Sequence, residues 1–275
     1  MQKNFNQCTE LTAGIPFYKE VNFEELKSSI NSIVSQTLLP VELHLIQDGP
    51  VSERIETLIN NYVQSYEWIR HIKIEENQGL PYALNLSILL SSTKYYARMD
   101  ADDISHIERF EKQIAYMEKN LDVEILGSWA FEFENDPINE KCSLYRVPID
   151  YQEMDKWLHY RNPIIHPSVM FRKKVFAKIG LYNATSKTGA KDLELWIKAF
   201  KAKVVVRNLN DPLLYYRCSQ VNERRSKMIR TLRQAKVRFQ YLTFSPKLNL
   251  LKVSSILFRL LPPKIRNWGY KNLRK

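Results

Sequence analysis

The stretch Tyr95-Tyr96-Ala97-Arg98-Met99-Asp100-Ala101-Asp102-Asp103 constrains this chain more than any other, because an apolar run with strand character ends in three carboxylates within four residues. Carboxylates at the carboxyl end of a buried strand lie in the crevice where open α/β sheets bind ligands. An Asp-x-Asp pair there suits a hard divalent cation that also carries phosphates. A nucleoside diphosphate is the ligand that this chemistry fits. The competing reading is a solvated acidic turn capping the helix that starts near Ile107, since Asp and Ser favour helix starts.

The residues before that stretch alternate between strand and helix patterns. Thr12 to Glu20 reads as the end of a short strand broken at Pro16, which lacks the N–H a ladder needs. Phe23, Leu26, Ile30, Ile33 and Val34 recur at helical spacing. Val41 to Ile46 is an apolar strand ending at the turn signal Gln47-Asp48-Gly49-Pro50. A helix over Ser52 to Val63, a strand over Ile69 to Ile74, a helix over Pro81 to Leu90 and the Tyr95 to Met99 strand follow. This alternation predicts an α/β fold with a Rossmann-like, mostly parallel, doubly wound sheet, and the strand ends at Pro16, Asp48 and Asp100 then share one edge. His44 falls inside a strand and is expected to be a satisfied structural histidine; Gly79 is expected to supply a positive φ.

Beyond the acidic cluster, Ile107 to Asn120 reads as an amphipathic helix and Val123 to Phe133 as a strand that returns as a hairpin over Leu144 to Pro148. Trp129, Trp157, Tyr160 and Trp196 are candidate stacking platforms for a ligand, of which at most one or two are expected to touch it and most to be core. At 275 residues and 44% hydrophobic content the chain can bury a substantial core, as one large domain or one domain with an appendage. Cys8, Cys142 and Cys218 are far apart and lack metal-ligand spacing, which fits packing residues in a reducing compartment. The sequence has neither an apolar leader nor a run of about 20 apolar residues, so a cytoplasmic location is expected.

The net charge of +11 is lopsided. From Glu223 onward there are fifteen Lys or Arg and one acid, leaving the preceding 222 residues slightly negative, and this asymmetry points toward an anionic partner. Ser226 to Phe244 and Leu248 to Leu261 are predicted basic amphipathic helices, with Pro262-Pro263 stopping the second. Fourteen residues are too few to span a bilayer, whereas lying in the headgroup plane lets each Lys or Arg near an anionic surface contribute about 1 kcal/mol. The alternative is a helix packed on the protein's own core with a solvated basic face. No recognised nucleic-acid-binding module accompanies the charge, so no nucleic-acid partner is expected.

Taken together, Ile15-Pro16-Phe17-Tyr18, Ser35-Gln36-Thr37, Asp48-Gly49, Asn77-Gln78-Gly79-Leu80, Ala83-Leu84-Asn85 and Arg98 to Asp103 resemble glycosyltransferase family 2 in order and spacing. The resemblance continues through His166-Pro167-Ser168, Gly180-Leu181-Tyr182 and Asp192-Leu193-Glu194-Leu195-Trp196 to Leu214-Tyr215-Tyr216-Arg217, covering about residues 10 to 220. It implies a GT-A fold over residues 1–220, with a nucleotide-sugar half at about 10–105, an acceptor half at about 106–220 and a membrane-associating helical extension at 221–275.

The same resemblance implies inverting transfer of a hexose from a nucleotide diphosphate sugar, UDP-glucose or UDP-galactose, to a lipid diphosphate-linked glycan in O-antigen, capsule or exopolysaccharide synthesis. Pro16, Tyr18 and Glu20 would line the base pocket, Asp48 would accept from the uracil ring N–H, and Asn77 and Gly79 would shape the loop below the donor. Arg98 would face the donor or pair with a neighbouring acid. Asp100 would touch ribose or metal, Asp102 would bind Mn²⁺ or Mg²⁺, and Asp103 would order the loop or cap the next helix. Asp192 would be the base, or alternatively the cap of the helix from Leu193 to Lys201, with Glu194 in reserve. His166 and Trp196 would lie toward the acceptor or diphosphate. The chain departs from the family at Lys191, where an acid usually precedes the base, and at Gln47. The place of work implied is the cytoplasmic face of the inner membrane, as a peripheral protein. Two readings from other classes stay open: a metal-dependent sugar nucleotidyltransferase, and a non-catalytic membrane-associated scaffold.

Overall fold

The computed structural model describes residues 6–185, 190–218, 224–261 and 265. The first half is built from strands β1 (Asn6–Phe17), β2 (Leu38–Asp48), β3 (Ile69–Ile74) and β4 (Tyr95–Arg98), connected by helices α1 (Phe23–Val34), α2 (Glu53–Ser65) and α3 (Leu80–Leu90). The four strands run parallel in the order β3-β2-β1-β4. Residues 11 to 17 of β1 are all buried, as a central strand covered on both faces requires. Helix α1 begins where the Asn22 side chain accepts from the N–H groups of Glu24 and Glu25, and it turns Leu26, Ile30 and Ile33 inward.

The second half extends the same sheet. Short β5 (Ile104–Ser105) leads to α4 (Arg109–Lys119), then β6 (Ile125–Phe133), β7 (Ser143–Tyr145), α5 (Tyr151–Leu158), β8 (Met170–Arg172), α6 (Val175–Ile179), α7 (Lys191–Lys201) and β9 (Val206–Arg217). The full order is β3-β2-β1-β4-β8-β6-β9-β5, with β7 beside β6. Antiparallel β8 is inserted between β4 and β6, and β5 and β7 also run against their neighbours, so the sheet is mostly parallel as expected. Adjacent strand residues face opposite cores: Tyr96, Ile125 and Phe171 point into one, Tyr95, Leu126 and Met170 into the other.

One expectation needs correcting. Pro16 does not end β1; the strand continues to Phe17, and Pro16 stays in register with Ile46. Pairing with β4 stops earlier, at Gly14 opposite Arg98, followed by the Met99 N–H to the Gly14 carbonyl. Residues two apart face the same side of a strand, so the donor missing from Pro16 falls where the β4 ladder has already ended.

Helices α8 (Arg224–Phe239) and α9 (Pro246–Leu260) follow, near the expected ranges. Helix α8 joins the body's core, with Val237 fully buried in the cluster that holds Leu158, Trp196 and Phe200; Arg238 on α8 and Lys252 on α9 are buried as well. The opposite side of this region is open, with Leu242, Phe244, Leu250 and Leu257 strongly exposed. Among the described residues no helix is long and apolar enough to cross a membrane. None of the three cysteines forms a disulfide, and His44 is held by Ser87 at 2.9 Å and Glu42 at 3.1 Å.

Candidate active site

The carboxyl ends of β1, β2 and β4 meet at one edge of the sheet, where Phe17 lies level with Gln47 and β2 closes on Asp48. Pro16 is buried beneath this rim, whereas Tyr18 and Glu20 are exposed on it, the Tyr18 hydroxyl donating to Glu20 at 2.8 Å. Asp48 is buried. Its two carboxylate oxygens each accept at 2.8 Å, one from the Gln78 N–H and the other from the Gly79 N–H, and the Asn77 amide donates to the Asp48 carbonyl at 3.0 Å. Asp48 therefore ties down the loop that opens α3, and a base contact would use the second lone pair of an oxygen already occupied once. Gly79 has the expected positive φ, +88°, where a side chain would be strained.

Past β4 the chain turns sharply through the acidic cluster. Asp100, Asp102 and Asp103 each present an oxygen within 4.8 Å of the others. The buried Arg98 guanidinium pairs with Asp100, and Ser29 on α1 donates to the Asp100 carbonyl at 3.0 Å. Asp103 caps nothing, since α4 starts six residues later after Glu108; it orders the loop instead, accepting the Arg217 N–H at 2.9 Å. Its other oxygen is buried with no hydrogen-bond partner among the described residues. Burial first, and the Asp100 charge second, push the Asp103 carboxyl well up and raise that of Asp102. Clustered carboxylates that repel one another, one with an orphaned oxygen, fit a divalent cation with oxygen ligands from Asp102, Asp100 and Asp103.

Arg217, at the end of β9, clasps this loop from outside. Its Nε donates to the Asp102 carbonyl at 2.9 Å, an ion pair reaches Glu25 on α1 at 3.4 Å, and the guanidinium lies over Phe133 at 4.4 Å. The sequence placed Arg217 at the end of a motif without giving it a role. An Arg closing the apolar run Leu213-Leu214-Tyr215-Tyr216 is the signal that could have raised it.

Asp192 lies in the first turn of α7. The residue before the helix is Ala190, so Asp192 is not its cap. Its Oδ2 accepts from the Asn162 amide at 2.7 Å, and burial raises its carboxyl against the lowering pull of the main-chain N–H groups, Arg98 and Arg238. The Arg98 charge is thus felt at Asp102 and at Asp192 alike, and the Tyr182 phenol, itself pushed up by burial, feels both Asp192 and Asp100. The acidic edge and Asp192 thus lie within electrostatic reach of the same buried guanidinium. His166 completes the group: its Nε2 meets the Tyr182 hydroxyl at 2.8 Å, and burial and Arg98 hold the imidazole well below its ordinary value, hence neutral at pH 7. Glu194, in the same turn as Asp192, is partly buried.

Trp196 corrects the sequence reading. It is fully buried, stacked on Phe171 with ring centroids 6.1 Å apart and edge-on to His166 at 5.8 Å, so it presents no face to an acceptor and supports His166 from below. Asn162, which donates to Asp192, carried no pattern that marked it out beforehand, and Tyr182, which meets His166, stood in the Gly180-Leu181-Tyr182 motif without a role.

A family model described as "Glycosyl transferase family 2" matches residues 12–180. The amylovoran biosynthesis glycosyltransferase AmsE of Erwinia amylovora is 31% identical over 267 residues, spanning 95% of this chain and 98% of that protein. The UDP-Gal:alpha-D-GlcNAc-diphosphoundecaprenol beta-1,3-galactosyltransferase of Escherichia coli is 29% identical over 254 residues, 90% of each chain. The mannosyltransferase PcManGT of Pyrobaculum calidifontis, solved with GDP-Man and Mn²⁺, shares the fold at a TM-score of 0.63 and 12% identity, over 98% of this chain and 77% of that one. The strand-end acidic edge, the mixed sheet around it and these likenesses agree: the chain belongs to glycosyltransferase family 2.

Proposed function

We propose that this glycosyltransferase moves a hexose, with inversion, from UDP-glucose or UDP-galactose to a lipid diphosphate-linked sugar during polysaccharide or O-antigen synthesis. The observation that carries this reading is the cluster of Asp100, Asp102 and Asp103 at the strand end, paired with the buried Arg98 whose charge also reaches Asp192. In the proposed step the acceptor O–H attacks the anomeric carbon from the face opposite the leaving group. The bond from that carbon to the diphosphate oxygen breaks, its electron pair leaves with the nucleoside diphosphate, and the acceptor proton passes to Asp192. A carboxyl raised by burial is a better proton acceptor than an ordinary one, which suits this role. When bound at Asp102 and Asp100, Mn²⁺ or Mg²⁺ supplies Lewis-acid neutralisation of the departing diphosphate.

Pro16, Tyr18 and Glu20 form the uridine rim, Asp48 with Asn77 and Gly79 holds the loop beneath it, and neutral His166 is a hydrogen-bonding group near the transferred sugar. The relative with a UDP-Gal donor and a diphosphoundecaprenol-linked acceptor supports both substrate assignments. In this scheme residues 1–220 are the catalytic body, with donor (10–105) and acceptor (106–220) halves, and residues 221–275 meet an anionic membrane surface on the cytoplasmic side. Exposed Leu242, Phe244, Leu250 and Leu257 beside a basic chain end support that surface role.

Incubation with a panel of nucleotide sugars and a GlcNAc-diphosphate-lipid acceptor tests the reaction. UDP release coupled to a product of inverted linkage, abolished by chelation and by Asp102→Ala, is expected. Pyrophosphate release from a nucleoside triphosphate would instead identify a nucleotidyltransferase, and inertness with every donor a scaffold. The surface role predicts that Phe244→Asp with Leu250→Asp abolishes sedimentation with anionic vesicles; retained binding would refute it.

A further inference from the structure

Arg238 occupies an unusual position for a residue in a C-terminal basic helix. It is 1% exposed, and among the described residues no carboxylate lies within ion-pairing distance of it. Its Nη1 donates to the Leu158 carbonyl and, at 3.1 Å, to the Arg161 carbonyl, while Nη2 donates to the Asn162 Oδ1 at 3.3 Å. The Asn162 Nδ2 in turn donates to the Asp192 Oδ2 at 2.7 Å. Only one orientation of that amide serves both ends: its oxygen must face the guanidinium and its NH₂ the carboxylate, because the opposite flip would set like against like. The polarity of the chain from Arg238 through Asn162 to Asp192 is therefore fixed by chemistry.

A buried guanidinium without an acid beside it is costly, and the carboxylate whose charge reaches it is Asp192. Burial and the neighbouring Arg259 bring the guanidinium down to about 9, which leaves it charged at pH 7. We propose that Arg238 is a positioning residue for the catalytic step: through the Asn162 amide it orients the Asp192 carboxylate, so that the C-terminal helix α8 completes the active site of the body. This rests on Asp192 being the base, and it gives the extension a second duty independent of any membrane contact.

The charged and titratable groups around this chain are Arg98 and Tyr182 facing Asp192, and His159, Lys252 and Arg259 near Arg238. The test uses the full-length enzyme and a readout that a merely structural role would not move. The Asp192 carboxyl is titrated by ¹³C NMR in protein labelled at Asp, its signal assigned by its loss in Asp192→Asn. In Arg238→Gln the titration should move up by about one pH unit, and Arg238→Lys, which keeps the charge, should restore most of it. Asn162→Ala leaves Arg238 in place, removes the amide donor and should shift the titration the same way, so it decides the matter if Arg238→Gln does not fold.

In parallel, UDP release from UDP-galactose and UDP-glucose with the GlcNAc-diphosphate-lipid acceptor should show kcat down about tenfold in Asn162→Ala, with donor KM unchanged. An unmoved Asp192 titration in a folded Asn162→Ala or Arg238→Gln protein overturns the inference, whatever the base. Full turnover in Asp192→Asn overturns the base itself and is read separately.

Discussion

Asp48 and Asp192, the carboxylates assigned above to the uridine side and to the base, are held in different ways. Asp48 is held by main-chain N–H groups of the loop that opens the next helix, 30 and 31 residues away, within one β-α-β unit. Asp192 is held by a side chain, Asn162, which leans on Arg238 from a helix outside the sheet altogether. Asp48 therefore obtains its geometry from the regular fold, since strand ends and loop amides arise wherever a doubly wound sheet forms. Asp192 obtains its geometry from particular side chains, and its placement should be correspondingly sensitive to single substitutions.

That contrast can be broken or sharpened by substitution. The largest effect is expected at Asp192→Asn, where kcat should fall about a thousandfold with little change in donor KM, because only the proton acceptor is lost. Asp102→Asn should by contrast weaken donor binding as well; steady-state kinetics on both variants checks the split, and an unchanged donor KM in Asp102→Asn would erase the contrast. The pH dependence has a definite sign. As the proposed base Asp192 has to be ionised, and its carboxyl is raised by burial, so activity should fall as pH drops through a value above the usual carboxylate range.

A smaller loss is expected for Trp196→Ala, about 3 kcal/mol by chemical denaturation, because the ring is fully buried against Phe171 and His166. Trp129, partly exposed and bonded through its Nε1 to the Val147 carbonyl at 2.7 Å, should cost less when truncated. Next comes Asp48→Ala, which removes the acceptor for two N–H groups. It should cost about 2 kcal/mol and loosen the Asn77–Gly79 loop, seen as faster amide exchange there and not around Asp192.

The smallest effect belongs to the histidines and cuts across both halves. His44 and His71 on one side and His159 and His166 on the other are all lowered, chiefly by burial. Below about pH 6.5 the unfolded chain takes up protons that the native one refuses, so stability should decline as pH falls through that value. Calorimetry between pH 7.5 and 5.5 measures it, and His44→Asn and His166→Asn should each flatten the slope.

Much of this was readable beforehand. The period-2 and helical patterns placed the alternating strands and helices of the first half to within a few residues, and the acidic run after Met99 fixed where the site had to be. Motifs in order identified the family. Less could be read where burial decides identity: Trp196, one of the candidate stacking platforms, is core, and the alternative of Asp192 as a helix cap does not hold, since Ala190 precedes the helix.

The sequence by itself determined the layered α/β body, the strand-end carboxylates and the basic, apolar chain end, because periodicity and composition are properties of neighbours along the chain. Only the tertiary structure decided that Arg98 is paired with Asp100, that Arg217 clasps the acidic loop and that Arg238 sits beneath Asn162. Arg217 lies 115 residues from Asp102, and Arg238 lies 76 residues from Asn162. No local pattern links such pairs; the match of donor to acceptor exists only after the sheet has formed and the last helices have closed on it.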